Sequence, residues 1–155
     1  MSGAVEYLFN YLQHLDAAPA KVDPRGMPVL MYVDDQAHTQ FTGFLMDLQD
    51  WGINVKVTDA FRTNGMQALL SGNAYGGAGY GTSLHEAGFA IDINWNSLSS
   101  DQQKFALDRA GAWGLKWGGG FKPYDPVHFY VDAFMTQQQR VQAIENAQKE
   151  FMEGR

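Results

Sequence analysis

The chain of 155 residues contains no cysteine. Disulfides and thiolate metal ligands are therefore excluded. No apolar run approaches the ~20 residues that a membrane-crossing helix requires, so membrane insertion is not expected. Basic residues are scarce: 11 Lys and Arg stand against 17 Asp and Glu, for a net charge of −6. That balance argues against nucleic acid as a partner and against electrostatic docking on anionic walls or membranes. The stretch from Met1 to Asn10 has neither a basic region nor an apolar signal core, and no signal peptide is expected. The glycine-rich stretch 71–82 lacks the Gly-Lys-Ser/Thr of a phosphate-binding loop, and no His-Glu-x-x-His occurs. No repeat, low-complexity tract or linker to a second domain is seen, and Asp16 to Gly26, with Pro19, Pro24 and Gly26, reads as a connector. The length suits one domain spanning 1–155.

What the chain does have is a dense run, Ser83-Leu84-His85-Glu86-Ala87-Gly88-Phe89-Ala90-Ile91-Asp92-Ile93-Asn94. Alternation from Phe89 to Ile93 reads as a half-buried strand, with Phe89, Ile91 and Ile93 on the core face and Asp92 on the other. Gly88 permits a sharp entry, so that His85 can fold back toward Asp92. A second segment, Asp125-Pro126-Val127-His128-Phe129, reads as another strand, with Pro126 suited to its first position. If the two strands pair, His85, Asp92 and His128 converge. Two imidazoles, one carboxylate and an open fourth position are the ligand set of a catalytic zinc. Taken singly, each of these His residues is read more simply as an ordinary polar residue at a strand end. The chain has only four His, and two of them lie beside acidic residues in strand contexts.

Elsewhere, Val5, Leu8, Phe9, Leu12 and Leu15 recur at helical spacing and predict a helix over 4–15. The run from Pro28 to Val33 predicts a short strand. Asp34 and Asp35 suit the start of a helix whose stripe is Phe41, Phe44, Leu45, Leu48 and Trp51, ended by Gly52. Ile53 to Thr58 alternates as a strand. Asp59-Ala60-Phe61-Arg62 leads into a short helix holding Met66, Leu69 and Leu70. Ser99 with Gln102 is a capping-box start for a helix burying Phe105, Ala106, Arg109, Ala110 and Trp113. Gly114 ends that helix, and Leu115-Lys116-Trp117 is a short strand. Thr136 with Gln139 caps a last helix with the stripe Val141, Ile144, Ala147 and Phe151. The glycine-rich stretch 71–82 reads equally as a lid or as a plain connector.

Ser83-x-His85-x-x-Gly88-x-Ala90-x-Asp92 followed by Asp125-x-x-His128 resembles the zinc D-alanyl-D-alanine carboxypeptidase and L-alanyl-D-glutamate peptidase family. Phe61-Arg62 with Gln67 is similar to that family's upstream arginine motif, and Gly114 to Gly119 to the stretch before its second motif. The likeness covers roughly Ile53 to Tyr130. It implies an α+β fold of the Hedgehog/DD-peptidase type: a small antiparallel sheet carries the zinc site, and helices pack on its back and flanks. It implies Zn2+ on His85, Asp92 and His128, with Asp125 as general base. Arg62 would stabilise developing negative charge or clamp a substrate carboxylate. Gln67, Ser83 and Trp117 are candidate substrate contacts. Gln67 also suits packing or capping, Ser83 a local hydrogen bond that supports the His85 turn, and Trp117 the core. Glu86 adjoins His85, but it is read as preceding a strand rather than sitting on a ligand-bearing helix.

The implied substrate is a peptidoglycan stem peptide cut by a monomeric enzyme. Aspartate at position 125 favours an L-alanyl-D-glutamate endopeptidase of endolysin type. Such an enzyme would be made in a host cytoplasm and reach the wall through a holin, a virion or a secretion system. The alternatives are a D-alanyl-D-alanine carboxypeptidase and a non-catalytic zinc-binding recognition domain.

Overall fold

The computed structural model describes residues 12–15, 26–70, 81–120 and 125–153. Its centre is a four-stranded antiparallel sheet in the order β3-β4-β6-β5. The strands are β3 (Val57–Asp59), β4 (Ala90–Ile93), β5 (Lys116–Trp117) and β6 (His128–Tyr130). A separate antiparallel pair joins β1 (Leu12–His14) to β2 (Tyr32–Asp34). Among the described residues, the α-helices are α1 (Asp35–Asp50), α2 (Asn64–Leu70), α3 (Leu84–Ala87), α4 (Ser100–Ala112) and α5 (Gln137–Met152). This is the expected α+β arrangement. Among the described residues no helix is long and apolar enough to cross a membrane.

Helix α1 covers one face of the sheet. Phe41, Phe44, Leu45 and Leu48 form a buried stripe at helical spacing, and the Phe44 ring lies 5.0 Å from that of Phe129 on β6. Ile91 and Ile93 of β4 and Val57 of β3 complete this core. Trp51 does not belong to the stripe. It falls one residue past the helix, is 55% exposed, and stacks on Phe105 of α4 at 4.1 Å. Gly52 stops the helix with φ +83°.

Several elements depart from the sequence-based expectation. Leu12–His14 is a strand, not the end of a helix; the rest of the 4–15 segment lies outside the described residues. Leu12 is buried all the same, in a small cluster with Phe61 and Ala147. Ile53 and Val55 are buried as the alternation implied, but only Val57–Asp59 joins the ladder. Gln67 and Leu70 are the buried residues of α2, and Leu69 is 69% exposed. On α5 Ala143 is buried, and Val141 lies at the exposed edge of the stripe. Pro126 precedes β6 in a turn, with His128 as the first strand residue. The glycine-rich stretch lies outside the described residues except for Gly81 and Thr82. The capping boxes and stops of α4 and the Thr136 cap of α5 are as expected.

Asp34 ends β2 and caps α1, its Oδ1 accepting from the Gln36 amide at 2.8 Å. Its Oδ2 is buried without a partner. Burial pushes this carboxyl up to about 8, against the Gln36 amide, which favours the anion. The folded pKa therefore exceeds the unfolded one. The stability this group contributes is full below about pH 4 and is lost as pH rises toward the folded value. Asp34→Asn keeps the cap and removes the ionisation. It is expected to be more stable than the native chain by a few kcal/mol at about pH 8.5, a gap that closes at about pH 4. Urea unfolding at the two pH values checks this. Equal pH dependence in both proteins contradicts it.

Candidate metal centre

Strand pairing brings the first two functional side chains together. Asp92 of β4 stands directly opposite His128 of β6. The third arrives on α3, a four-residue helix between Ser83 and Gly88. Ser83 caps it, its Oγ accepting from the His85 amide at 3.2 Å. Gly88 ends it with φ +80°. A side chain there would also meet the Asp34 amide nitrogen at 2.7 Å, so only glycine lets the chain reverse into β4. Glu86 sits on this helix, contrary to the sequence reading, with its side chain turned away from chemistry. It accepts from the Gly81 and Ser83 amides and completes a capping box. Burial raises its pKa.

His85 Nε2, His128 Nδ1 and Asp92 Oδ1 form a triangle with edges of 3.1, 3.2 and 3.2 Å. Ligand atoms of a tetrahedral ion at about 2.0–2.1 Å stand about 3.3 Å apart, so the spacing suits a small divalent cation. The proton arrangement points the same way. His85 Nδ1 lies 2.6 Å from the Ala60 carbonyl. A carbonyl only accepts, so Nδ1 carries a proton, and Nε2 is the ring atom left facing Asp92 and His128, where it would offer its lone pair to a cation. His85 Nε2, His128 Nδ1 and Asp92 Oδ1 thus face one point, an arrangement that could hold a metal ion. These three residues are the group of acidic and imidazole side chains, among the described residues, with metal-holding geometry.

All three are buried, at 2% (His85), 8% (Asp92) and 8% (His128) exposure. The strand is covered on both faces, not half-exposed as its alternation suggested, because α3 and Arg62 lie over the Asp92 side. Burial alone would raise the Asp92 carboxyl. The charges and hydrogen bonds of His85 and His128 outweigh it and hold the group well below the usual carboxylate range.

Arg62 is buried behind Asp92. Its Nε donates to Asp59 Oδ2 at 2.7 Å, Nη1 to Gln67 Oε1 at 3.0 Å and Nη2 to Asp92 Oδ2 at 3.4 Å. Asp59 and Asp92 are cross-strand partners. Two carboxylates opposite each other repel, and the guanidinium between them offsets the repulsion. Asp59 was not singled out from the sequence. An aspartate at a strand end three residues before the arginine was the available signal.

Asp125 is half-buried beside the cluster, close enough to feel Asp92, His128, His85 and Arg62. Burial first, and the Asp92 charge second, raise its pKa. Its amide donates to the Gly118 carbonyl at 3.1 Å. A Cβ on Gly118 would collide with the Asp125 carbonyl and lie 3.0 Å from His128 Cβ, so glycine allows this close approach. Of the candidate substrate contacts, Gln67 is fully buried against Arg62 and Ser83 caps α3. Trp117 is half-buried, donates Nε1 to the Pro126 carbonyl at 2.8 Å, and packs on Trp95 at 5.3 Å.

No protein-family model and no curated protein matches this sequence. Solved structures do match. The LdcB LD-carboxypeptidase, solved to show the molecular basis of peptidoglycan recognition, is 16% identical over 93% of this chain and 80% of its own, with a TM-score of 0.60. A mutant of the D,D-pentapeptidase VanY from a VanB-type vancomycin resistance cassette, in complex with Zn(II), is 14% identical over 88% of each chain, TM-score 0.56. The chain shares its fold with LdcB and VanY. VanYB in complex with D-alanine-D-alanine aligns at 14% identity over 93% of this chain and 88% of its own, TM-score 0.54. The resemblance carried by the His85–Asp92 and Asp125–His128 motifs thus holds at the level of the fold.

Proposed function

We propose that the protein is a zinc carboxypeptidase that removes a C-terminal D-amino acid from peptidoglycan stem peptides. The observation that carries this reading is the triangle of His85, Asp92 and His128 with Asp125 beside it, set in a fold shared with LdcB and VanY. The neighbours support this activity better than the L-alanyl-D-glutamate endopeptidase favoured by the sequence.

Zinc held by the three side chains would lower the pKa of a water toward ~7 and polarise a carbonyl oxygen. Asp125 takes the proton as water attacks the peptide carbonyl, then returns it to the leaving amine nitrogen. Arg62 keeps Asp92 in place and offsets the paired charges of Asp59 and Asp92 behind the metal site. Trp117 supplies an apolar wall for the peptide.

Digestion of purified sacculi with the zinc-loaded protein, followed by mass spectrometry of the new termini, tests the reading. Release of single D-amino acids from stem termini is the expected result. New amino termini at D-glutamate would restore the endopeptidase assignment. Intact sacculi with zinc fully bound would favour a recognition domain without catalysis.

A further inference from the structure

Two backbone segments bring side chains to the metal triangle from outside the central strands. One is 60–64, whose Ala60 carbonyl orients His85 and whose Arg62 grips Asp92. The other is α3, which carries His85. The two are joined through the Arg62 amide, which donates to the His85 carbonyl at 3.1 Å.

Helix α5 closes this joint from behind. Gln148 donates from Nε2 to the Arg62 carbonyl and to the Glu86 carbonyl, both at 2.9 Å. Its Oε1 accepts from the Asn64 amide at 2.8 Å. That amide is the first of α2 and belongs to the unsatisfied donors of a helix N-terminus. One carboxamide thus spends both N–H groups and its oxygen on main-chain atoms of the two segments. Eight residues earlier, Arg140 Nη1 donates to the Thr82 carbonyl at 3.4 Å. Eight residues span about 12 Å of helix, so α5 runs alongside α3, with contacts at Thr82 just before its cap and at Glu86 within it. Ala143, Ile144 and Ala147 press its apolar side inward between these polar contacts.

We propose that Gln148 is a positioning residue for the metal centre. By tying Arg62 to Glu86 through their carbonyls, it fixes the distance between His85 and the guanidinium that holds Asp92, and so keeps the ligand triangle closed. This rests on the reading of His85, Asp92 and His128 as a metal site. The chemistry of the position is specific. Glutamate would set carboxylate oxygens against two carbonyls. Methionine has the same reach with neither donors nor a comparable acceptor. Lysine and arginine have nothing to offer the Asn64 amide.

The test uses the full chain and Zn2+ itself. In Gln148→Met, competition with a chromophoric chelator is expected to show zinc affinity about tenfold weaker, in the range that outer-shell changes cost, with Gln148→Glu weaker still. Ile144→Val serves as a control on the same helix: it lowers the unfolding temperature and is expected to leave zinc affinity unchanged. Hydrogen exchange of the Arg62 amide in metal-free protein reads the clamp directly. It is expected to speed up in Gln148→Met while exchange in β4 stays slow. Unchanged Arg62 exchange, or an Ile144→Val loss of affinity equal to that of Gln148→Met, overturns the proposal. Faster exchange in a protein whose native form binds no zinc would sink the metal assignment and leave the clamp standing.

Discussion

Asp125→Ala is expected to bind zinc as the native chain does and to hydrolyse stem peptides roughly 10^2–10^4-fold more slowly, the usual contribution of a positioned general base. The separation of the two properties follows from where Asp125 stands. It is outside the triangle of donor atoms, so its removal leaves all three ligands in place. Yet it shares the cluster's electrostatics, and its main chain is locked against Gly118 and His128. Burial and the neighbouring Asp92 charge make its carboxylate a better proton acceptor than a free aspartate, although a bound cation would pull its pKa back down. Because the side chain is only half-buried, the substitution costs little packing, and circular dichroism should be unchanged. Zinc content by elemental analysis and turnover on a defined stem peptide read the two properties separately. Native turnover in the variant would remove Asp125 from the chemistry, and lost zinc would make it a ligand.

The sequence already pointed to that site because its geometry is mostly local or one strand pair deep. Gly88 and the Ser83 cap are local signals, and the alternation in β4 and β6 leaves only the pairing to be guessed. Once Asp92 and His128 pair, the cluster follows. The misreadings share a cause: periodicity records which side chains are buried, not what buries them. Leu12 and Leu15 are both buried, as a helical stripe would require. Leu12 pairs with β2 and packs with Phe61 and Ala147, while Leu15 joins the main core beside Met31, and no spacing within the segment reveals these partners. Trp51 is apolar by type but lies beyond the end of α1, where Phe105 meets it at the surface. Asp92 looks solvent-facing in the pattern, and a long-range contact with Arg62 covers it. Gln148 is the extreme case, since its partners lie 62 to 86 residues away and are main-chain atoms with no sequence signature.

His128→Ala is expected to lose both zinc and turnover, and in that it differs from Asp125→Ala. The substitution removes one of three donor atoms and leaves His85 and Asp92, a pair too few for a closed tetrahedral site. The loss of affinity should exceed the about 10–100-fold that outer-shell changes cost. The fold should survive, because the pairing of β6 with β4 and β5 is carried by main-chain bonds and by Phe129 in the core. What changes is the electrostatics of Asp92. With His128 gone, its Oδ1 keeps only His85 while Oδ2 stays with Arg62, so the carboxylate is still compensated and need not drag the sheet apart. Elemental analysis after gel filtration should therefore find little metal on a chain with native circular dichroism. Full zinc occupancy in this variant would contradict the ligand assignment, and with it the role given to Asp125, whose work depends on a cation beside it.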